Sequence, residues 1–480
     1  MNDYTKFYIG GEWRAPESTG TITVISPNDE KPLGTTPDGA PADIDAAVAA
    51  ARRAFDDPKG WRNWPASERA AAMERLADAL DRRTPQIVQA VSSQNGMPAA
   101  IAEQLEAMFP QLLLRYYAEL VRRESFEETR PGRFGGSTLV TRNPIGVVAA
   151  IIPWNFPEAL AAFKYAPGIA AGCTFVIKPS PETVLDSYVL ADAIAEAGLP
   201  PGVFNIVPGG REVGAHLVAH PGVDKVAFTG STAAGRSIAE VCGRLLRPVT
   251  LELGGKSAAI ILDDADLDLA TLGEKLFGAT LLNNGQACYL GTRVLAPRSR
   301  YDEIVDTFTA LANSLTVGNS LEPTTQVGPL TSARQRERVE SYIAKGLADG
   351  ARITTGGGRP KGLDAGWFVE PTVFANVDNG YAIAQDEIFG PVLSLIPYGD
   401  DDEAVQIANA SDYGLGGSVW TADHDRGVQV AREIRSGTVG VNGYLPDPTA
   451  PFGGVKGSGL GRELGPEGLS AYLVDKSIYL

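Results

Sequence analysis

Two short segments contain the residues whose types could carry out covalent chemistry. Glu252 lies in L-E-L-G-G-K-S, and Cys288 lies in N-N-G-Q-A-C. A thiolate can add to a carbonyl carbon, and after a hydride has left, a carboxylate can activate the water that releases the acyl group from sulfur. We therefore predict that Cys288 is a nucleophile, that Glu252 is a general base, and that the reaction passes through a thioester.

The other cysteines and the histidines have simpler interpretations. The chain has three cysteines in 480 residues, which predicts no disulfide framework and indicates a reducing compartment. Cys173 precedes a β-branched apolar run and Cys242 lies at helical spacing, so both are predicted to be small buried hydrophobic residues. None of the three histidines is near Cys288 in sequence, so a Cys-His hydrolase pair would require long-range folding.

The composition predicts a folded protein, and the length predicts about three compact units. Hydrophobic residues make up 44% and charged residues 21% of the chain, as is typical of globular proteins. The formal net charge of -16 opposes nucleic-acid binding, which depends on clustered Lys and Arg. The N-terminus lacks a basic start followed by a long apolar run, and no stretch resembles a membrane span. We expect a cytoplasmic protein without a nucleic-acid or membrane partner.

The order of helices and strands predicts the α/β class. Amphipathic stretches at 44–55 and 66–82 alternate with apolar strands such as V-V-A-A-I-I at 147–152, which indicates βαβ units and a mostly parallel sheet. A second α/β series follows Gly254. The polar segment 124–143 and the C-terminal segment are predicted to be strands with exposed edges, which proteins normally cover. We therefore expect a homo-oligomer, either a dimer or a tetramer.

The segment K-V-A-F-T-G-S-T-A-A-G-R-S has the order strand, glycine turn, helix. Gly230 and Gly235 bracket the turn, and this geometry points backbone N–H groups and a helix dipole at a phosphate. Arg236 stands where a Walker A loop requires Lys, and G-x-G-x-x-G is absent, so we exclude nucleotide hydrolysis. From the residue pattern alone, a cofactor site and a plain tight turn are both possible interpretations of this segment.

Two candidate metal motifs are incomplete. His216 and His220 are four residues apart on a predicted helix, but no Glu accompanies them and no third ligand has a recognisable spacing. The aspartates in D-A-D-L-D at 264–268 resemble the start of a calcium loop, but Leu269 and Lys275 occupy the positions of the required Gly and Glu. We therefore predict no metal site. The histidines are expected to be structural or surface residues, and the aspartates to favour a helix N-terminus.

Seven ordered segments resemble those of the aldehyde dehydrogenase superfamily, in its NAD(P)-dependent, hydrolytic branch. Any one of them would be weak evidence, but together they span nearly the whole chain. The segments are P-W-N-F-P (153–157), F-V-I-K-P-S (175–180), F-T-G-S-T-A-A-G (228–235), L-E-L-G-G-K-S (251–257), G-Q-A-C (285–288), E-I-F-G-P-V (387–392) and P-F-G-G-V-K-G-S-G-L-G-R-E (451–463).

The resemblance implies three units with distinct roles. A Rossmann-like NAD(P)-binding domain is expected over 1–123 and 144–253, and an α/β catalytic domain over 254–446. A small β oligomerisation element is expected over 124–143 and 464–480.

The resemblance also implies roles for the catalytic residues. The Cys288 thiolate would add to an aldehyde and give a thiohemiacetal with a negatively charged oxygen, held by the Asn155 side-chain amide and the Cys288 backbone N–H. Glu252 would activate water if burial raises its pKa toward neutrality, and Lys164 would help to relay the proton. A free thiol has a pKa of about 8.5, so a helix N-terminus or a bound cationic nicotinamide would be needed to favour the thiolate.

For the cofactor, the resemblance implies NAD. Lys178 would bind the adenosine ribose, Ser231 the pyrophosphate and Glu387 the nicotinamide ribose. One departure is Pro181, where many NAD-preferring relatives have a Glu that accepts ribose hydroxyls and repels a 2′-phosphate; here Glu182 comes next. We therefore expect that NAD is favoured and NADP tolerated. The other residues expected in this cleft are Ile151, Trp154, Ser180, Gly210, Gly230, Gly235, Leu253 and Phe389.

The residues expected in the substrate tunnel are apolar or aromatic. No Arg is among them, although a carboxylated aldehyde would require such a cation. We therefore predict an uncharged aliphatic, terpenoid or aromatic aldehyde, while the sequence leaves open that these residues are simply core. They are Phe156, Leu160, Phe163, Tyr289, Tyr444 and Leu445.

Two rival interpretations remain. In a CoA-acylating relative a thiol rather than water would resolve the thioester, so a base at Glu252 would be dispensable, and its presence favours hydrolysis. A non-catalytic relative that keeps the fold for binding or structure would not need the complete set of Cys288, Glu252 and Asn155.

Overall fold

The computed structural model describes residues 2–480. Its strands, numbered in chain order, are β1 (Asn2–Asp3), β2 (Phe7–Ile9), β3 (Glu12–Arg14), β4 (Thr21–Ile25), β5 (Pro32–Pro37), β6 (Glu127–Pro131), β7 (Ser137–Pro144), β8 (Val147–Ile151), β9 (Thr174–Lys178), β10 (Phe204–Ile206), β11 (Lys225–Thr229), β12 (Val249–Glu252), β13 (Ala258–Ile261), β14 (Arg293–Pro297), β15 (Arg352–Thr355), β16 (Thr372–Ala375), β17 (Val392–Tyr398), β18 (Ser418–Trp420), β19 (Gly440–Val441), β20 (Gly459–Leu460) and β21 (Leu473–Tyr479).

The α-helices are α1 (Pro41–Asp56), α2 (Ala66–Asp81), α3 (Thr84–Asn95), α4 (Ala99–Ala102), α5 (Phe109–Arg123), α6 (Pro157–Ala171), α7 (Asp186–Ala197), α8 (Arg211–Ala219), α9 (Thr232–Arg244), α10 (Leu269–Thr280), α11 (Tyr301–Ser314), α12 (Ala333–Ala348), α13 (Ala382–Gln385), α14 (Asp401–Asn409), α15 (His424–Glu433) and α16 (Gly465–Ser470). A π-helix at Glu103–Met108 joins α4 to α5, and short 3-10 turns lie at Trp61–Asn63, Asn283–Gly285, Arg298–Arg300 and Lys456–Ser458.

An eight-stranded sheet has the order β20-β12-β11-β8-β9-β10-β2-β3. Its five central strands, β8 to β12, are parallel. Read from β10 across to β12, they follow the order of the dinucleotide-binding folds, and the order reverses between β8 and β11. A crevice at such a reversal, beyond the carboxyl ends of the strands, is where ligands of open α/β sheets bind.

A second, seven-stranded sheet has the order β15-β16-β17-β14-β13-β18-β19. All of its neighbours pair in parallel except β15, which is antiparallel to β16. Separate clusters of buried apolar side chains pack around each large sheet, because strands covered on both faces must be apolar throughout. The predicted α/β class is confirmed.

Two small sheets lie outside these layers. Strands β21, β7 and β6 form an antiparallel sheet, so the polar segment 124–143 and the C-terminal segment pair with each other. Every residue of β6 is exposed, and β21 is exposed along nearly its whole length. The third group has the order β1-β5-β4. The assigned domain boundaries, and the role of the β21-β7-β6 sheet in assembly, stay predictions.

Several local predictions can be compared with the observed elements. The stretch 44–55 lies within α1, and the stretch 66–82 matches α2 except for Arg82, which is the C-cap of that helix. Cys173 and Cys242 are both fully buried and free. No helix within residues 2–480 is long and apolar enough to cross a membrane.

Candidate active site

Cys288 follows a tight turn that is anchored to several distant segments. Asn283, Asn284 and Gly285 all have left-handed backbone angles. A Cβ on Gly285 would lie 2.1 Å from the carbonyl oxygen of Gly390, so only glycine fits there. Asn284 Nδ2 donates to the carbonyls of Gly96 and Pro329, each at 2.9 Å. The N-N-G-Q-A-C motif is therefore explained by the backbone path that it imposes before the thiol.

The glycine pair of L-E-L-G-G-K-S makes room for this loop. A Cβ on Gly255 would lie 2.2 Å from the Cys288 carbonyl oxygen, and a Cβ on Gly254 would lie 2.4 Å from Glu387 Oε2. Side chains at either position would displace the nucleophile's loop or the Glu387 carboxylate. The motif thus brings three separate segments into contact.

Asn155 lies just beyond β8, beside the Cys288 loop. It is buried, and its Nδ2 donates to the Gln286 carbonyl at 3.0 Å. The backbone carbonyl of Asn155 accepts hydrogen bonds from Asn95 Nδ2 at 3.1 Å and from Asn283 Nδ2 at 3.0 Å. A side-chain amide has two N–H groups, so the bond to Gln286 leaves one for a ligand oxygen. Asn155 and Cys288 line the same cavity, as an oxyanion hole requires.

Glu252 ends β12 and is almost completely buried. Neither of its carboxylate oxygens has a hydrogen-bond partner within the described residues. Burial raises its pKa well above the ordinary value, the Glu463 charge raises it further, and Lys164 and Arg462 oppose the shift. A Cβ on Gly453 would lie 2.5 Å from Glu252 Oε1, which explains the glycine of the P-F-G-G motif. Such a carboxyl can take up a proton near neutral pH.

Lys164 is fully buried on α6 behind Glu252. Its Nζ lies 2.9 Å from Glu463 Oε1 and 2.6 Å from Thr229 Oγ1. The ammonium therefore has a carboxylate partner of its own and acts on Glu252 through its charge. Glu463 is not among the residues predicted from the sequence, although its position at the end of the P-F-G-G-V-K-G-S-G-L-G-R-E motif is a signal that could have identified it.

The thiol of Cys288 is set in an unfavourable environment for the thiolate. Burial raises its pKa well above the ordinary value, and the nearby Glu387 and Glu252 carboxylates raise it further. Its own backbone N–H acts in the opposite direction. A positive charge arriving beside the sulfur would therefore change the thiolate fraction strongly.

A cleft of about 480 Å³ opens on one side of Cys288. We call it the polar cleft because polar and charged residues such as Ser231, Arg338 and Glu387 are part of its lining. It lies at the carboxyl ends of β8, β11 and β12, where the strand order reverses. Ser231 is the N-cap of α9, and its side chain accepts from the Ala234 N–H. The predicted cofactor residues that line this cleft are Trp154, Gly230, Ser231, Leu253, Glu387 and Phe389.

Glu387 and Phe389 are held by backbone contacts. Glu387 Oε1 accepts the Gly255 N–H at 2.9 Å, and burial raises the pKa of this carboxyl to about 7. Phe389 has a left-handed backbone angle, and its carbonyl accepts from Gln335 Nε2 at 2.6 Å. Its ring packs edge-on against Trp154, with 5.2 Å between ring centroids.

A second cavity of about 510 Å³ continues from Ser231 along the carboxyl ends of the central strands, between α8 and α9. Ile151 and Lys178 line it together with Arg211. Lys178 Nζ donates to the Gly209 carbonyl at 2.7 Å, and burial lowers the pKa of its ammonium group to about 8. Arg211 begins α8 and is exposed.

Three predicted cofactor residues line neither cavity. Ser180 Oγ donates to Glu182 Oε2 at 2.5 Å, and Glu182 Oε1 lies 3.5 Å from Arg334. Gly210 is the N-cap of α8. Gly235 is buried beneath Leu253, where a Cβ would lie 2.4 Å from a Leu253 methyl carbon.

An apolar channel of about 60 Å³ reaches Cys288 from the other side. Phe163 packs against Phe109 and Phe452, with centroid separations of 5.7 and 5.9 Å. Tyr444 lines a neighbouring cavity and stacks on Tyr289 at 4.6 Å, so it supports the channel wall. The predicted substrate residues that line the channel are Phe156, Leu160, Phe163, Tyr289 and Leu445, of which Leu445 is 77% exposed.

Several residues that line these cavities come from distant elements and are not among the residues predicted from the sequence. Leu105, Phe109 and Phe452 complete the channel, and Leu105 lies in the π-helix. Gln335 and Arg338 of α12 border the polar cleft. Only Phe452 lies in a segment that carried the resemblance; the others have no local signal.

The fold and these cavities define an α/β enzyme whose thiol stands between a dinucleotide-type cleft and an apolar channel. Residues 13–478 match the Aldehyde dehydrogenase family. The chain is 57% identical over 478 residues to geranial dehydrogenase of Castellaniella defragrans, covering 100% of this chain and 99% of that protein.

Solved structures give the same result. An aldehyde dehydrogenase of Mycobacterium tuberculosis complexed with NAD+ has a TM-score of 0.97 and 48% identity, covering 100% of this chain and 98% of that chain. A mutant of aldehyde dehydrogenase C from Pseudomonas syringae, complexed with NAD+ and octanal, has a TM-score of 0.95 and 39% identity, covering 99% and 96%. The chain belongs to the aldehyde dehydrogenase family, and the resemblance carried by its motifs is confirmed.

Proposed function

We propose that this enzyme oxidises an uncharged, apolar or aromatic aldehyde to the carboxylic acid with NAD as hydride acceptor. The observation that carries the proposal is the position of Cys288, which lines both the polar cleft and the apolar channel. An aldehyde whose tail fills the channel has its carbonyl carbon at the sulfur, and the opposite face of that carbon is toward the cleft.

The first step is addition of the Cys288 thiolate to the aldehyde. The carbonyl oxygen then becomes an alkoxide, stabilised by the second N–H of the Asn155 amide and by the Cys288 backbone N–H. The raised pKa of the thiol means that the nucleophile forms when a positive charge is close. A cationic nicotinamide ring bound in the cleft would supply such a charge.

NAD, when bound, accepts the hydride that leaves the thiohemiacetal carbon. The sulfur then carries an acyl group, and Glu252 removes a proton from the water that attacks it. The raised pKa of Glu252 and its unpartnered oxygens support this role. The buried pair of Lys164 and Glu463 lies behind Glu252 and provides groups through which the proton leaves.

The residues of the cleft fit a dinucleotide. The N-terminus of α9 at Ser231 offers backbone N–H groups and a helix dipole to a pyrophosphate. The Lys178 ammonium would donate to the adenosine ribose, and the Glu387 carboxylate would accept from the other ribose. Glu182 lies next to Ser180 and Lys178, so a carboxylate opposes a 2′-phosphate near this site and favours NAD. The exposed Arg211 on the same cavity leaves NADP as a weaker alternative.

The channel supports an apolar substrate. Of the described residues, those that line it are hydrophobic or aromatic apart from the Cys288 thiol and the Tyr289 hydroxyl, and none is Arg or Lys. The name of the similar geranial dehydrogenase, and the octanal bound by the Pseudomonas syringae protein, agree with such a substrate class. We also propose that the enzyme is a homo-oligomer, since the β21-β7-β6 sheet has exposed outer strands. We further propose that it is cytoplasmic.

The test is NADH formation from octanal and geranial, with the acid product measured without CoA. We expect free acid in amounts equal to NADH, and no steady turnover after Cys288→Ser. Glu252→Gln should give one burst of NADH followed by slow turnover. Full activity of the Cys288→Ser variant would contradict the nucleophile, and unchanged steady turnover of Glu252→Gln would contradict the base.

The same measurement separates the rival functions. A CoA-acylating enzyme would release product only after CoA is added, whereas a binding protein without catalysis would form no NADH with any aldehyde. The buried Glu252 beside the thiol favours hydrolysis over transfer to CoA.

A further inference from the structure

A cluster of two histidines and one aspartate lies away from the active site, between α1 and α8. His216 is on α8, His220 directly follows it, and Asp45 is on α1. His216 Nε2 lies 2.6 Å from Asp45 Oδ1, and His220 Nε2 lies 3.3 Å from the same oxygen. One potential ligand atom from each residue lies within 4.8 Å of the other two.

We propose that Asp45, His216 and His220 form a binding site for a divalent transition-metal ion, with Zn²⁺ as the representative. Two imidazole nitrogens and one carboxylate oxygen suit Zn²⁺, Ni²⁺ or Cu²⁺ better than the oxygen-seeking Ca²⁺ or Mg²⁺. Two of the three ligands were visible in the sequence as histidines four residues apart. The third ligand was invisible there because Asp45 is 171 residues away from His216.

The separations of the two histidine nitrogens from Asp45 Oδ1 are close to those of a tetrahedral site. Ligand atoms about 2.0 Å from a zinc ion lie roughly 3.3 Å apart. The separation of His220 Nε2 from Asp45 Oδ1 already has this value, at 3.3 Å. His216 Nε2 needs to move away from Asp45 Oδ1 by less than 1 Å, roughly the difference between a hydrogen bond and a ligand edge. Both side chains have the freedom for this shift, since the Asp45 side chain is 56% exposed and that of His216 is 36% exposed.

The exposure also determines the kind of site. Three protein ligands leave one position of a tetrahedral zinc ion for water, and that position would face the solvent. The ion therefore exchanges with the medium and does not need to enter during folding.

One hydrogen bond opposes the metal. His220 Nδ1 accepts the Gly222 N–H at 3.0 Å, which leaves the ring proton on Nε2, toward Asp45. A metal at Nε2 requires the proton to move to Nδ1, where it would meet the Gly222 N–H. Gly222 is partly exposed, so water can replace the lost acceptor. The expected affinity is therefore that of a moderate, exchangeable site rather than a permanent structural zinc.

The metal would link α1 to the helix that borders the cofactor cavity. Gly214 of α8 lies against Lys178, where a Cβ would be 3.3 Å from Lys178 Cε. An ion that binds only the folded state stabilises it in proportion to its free concentration. Zn²⁺ should consequently raise the melting temperature of the protein, and the increase should depend on all three ligands.

The experiment is titration of tag-free protein with ZnCl2 by isothermal calorimetry, in a Cys288→Ser background that removes the reactive thiol. We expect one equivalent of Zn²⁺ to bind, and His216→Ala, His220→Ala and Asp45→Ala each to weaken binding by at least about tenfold. His424→Ala is the matched control, because this third histidine lies on α15, outside the cluster. It should leave the affinity unchanged.

Two further measurements keep the result decisive. Circular dichroism of each metal-free variant establishes that it is folded, and Asp45→Asn provides a milder change at the same ligand. Co²⁺ bound at the site should give d–d absorption without a thiolate charge-transfer band, and His216→Ala should remove that absorption. No Zn²⁺ binding, or binding that His216→Ala and His220→Ala leave unchanged, would overturn the proposal.

Discussion

The two cavities that meet at Cys288 differ in the structural elements that line them. The polar cleft, of about 480 Å³, lies at strand ends and a helix N-terminus, so the parallel sheet fixes the position of much of its lining. The apolar channel, of about 60 Å³, is formed by side chains from the π-helix, α5, α6 and the loops that carry Leu445 and Phe452. Its shape therefore depends on packing rather than on the sheet.

This difference assigns the cavities separate tasks. A dinucleotide has fixed chemistry, and a backbone cradle that tolerates few changes suits it. Substrate tails vary, and a wall of side chains can change by substitution without altering the sheet. Among the described residues that line the two cavities, Cys288 is common to both, and changes to the groups beside its sulfur should affect every substrate equally.

Asn155→Ala should have the largest effect, because it removes a donor at the point where the cavities meet. We expect kcat to fall by about 10²- to 10³-fold with every aldehyde, and the KM for NAD to change little. Steady-state kinetics with octanal and with benzaldehyde measure both. A loss confined to one aldehyde would show that Asn155 shapes the channel instead of stabilising the alkoxide.

Phe163→Leu should affect the channel alone. The variant loses the ring contacts with Phe109 and Phe452, so the tail of an apolar aldehyde is held less well. We expect kcat/KM for octanal to fall by roughly tenfold, the effect of a few methylene contacts. The KM for NAD is the internal control. An equal weakening of NAD binding would mean that the two cavities are not independent.

The same difference explains what could be predicted from sequence. Cys288, Asn155 and Glu252 stand in motifs whose glycines and asparagines are required by backbone paths, as Gly255 against the Cys288 carbonyl illustrates. Such requirements fix the residue types within a short segment, so they are visible in the sequence. Leu105 reaches the channel from the π-helix and Phe109 from the first residue of α5, and no residue type marks that geometry in the sequence. The pairing of Glu463 with Lys164 spans 299 residues and needed the fold to become visible.

Arg211→Ala should have a smaller effect, at the far end of the cofactor cavity. Arg211 is exposed there beside Lys178, and a 2′-phosphate would pair with it. We expect kcat/KM for NADP to fall by about fivefold, the scale of an exposed charge pair. The value for NAD should stay unchanged, because NAD has no such phosphate. Equal losses with both cofactors would instead assign Arg211 to the shared part of the dinucleotide.

The smallest effect concerns three buried carboxyl groups on the α6 side of the channel wall. Glu106 lies in the π-helix, Glu158 in the first turn of α6 and Asp186 at the start of α7. Glu106 Oε2 accepts the Glu158 N–H at 2.7 Å, and Gln94 donates to Asp186. Burial raises the pKa of all three, that of Asp186 to about 7. The Glu387 carboxylate of the polar cleft has Arg338 and Lys256 near it, whereas among the described residues this cluster has no cation within hydrogen-bond distance.

The sign of the pH effect follows from these raised values. An unfolded Asp has a pKa of about 3.9, so the folded protein binds more protons than the unfolded chain between that pH and about 7. The stability from this group is complete below the unfolded pKa and is lost as pH rises through the folded pKa. Asp186→Asn keeps an acceptor for Gln94 and cannot ionise, so the melting temperature should fall less between about pH 5 and pH 8 than in the parent protein. Asp349→Asn, at an exposed carboxylate, is the matched control. A steeper fall in the Asp186→Asn variant would mean that the charged carboxylate stabilises the channel wall.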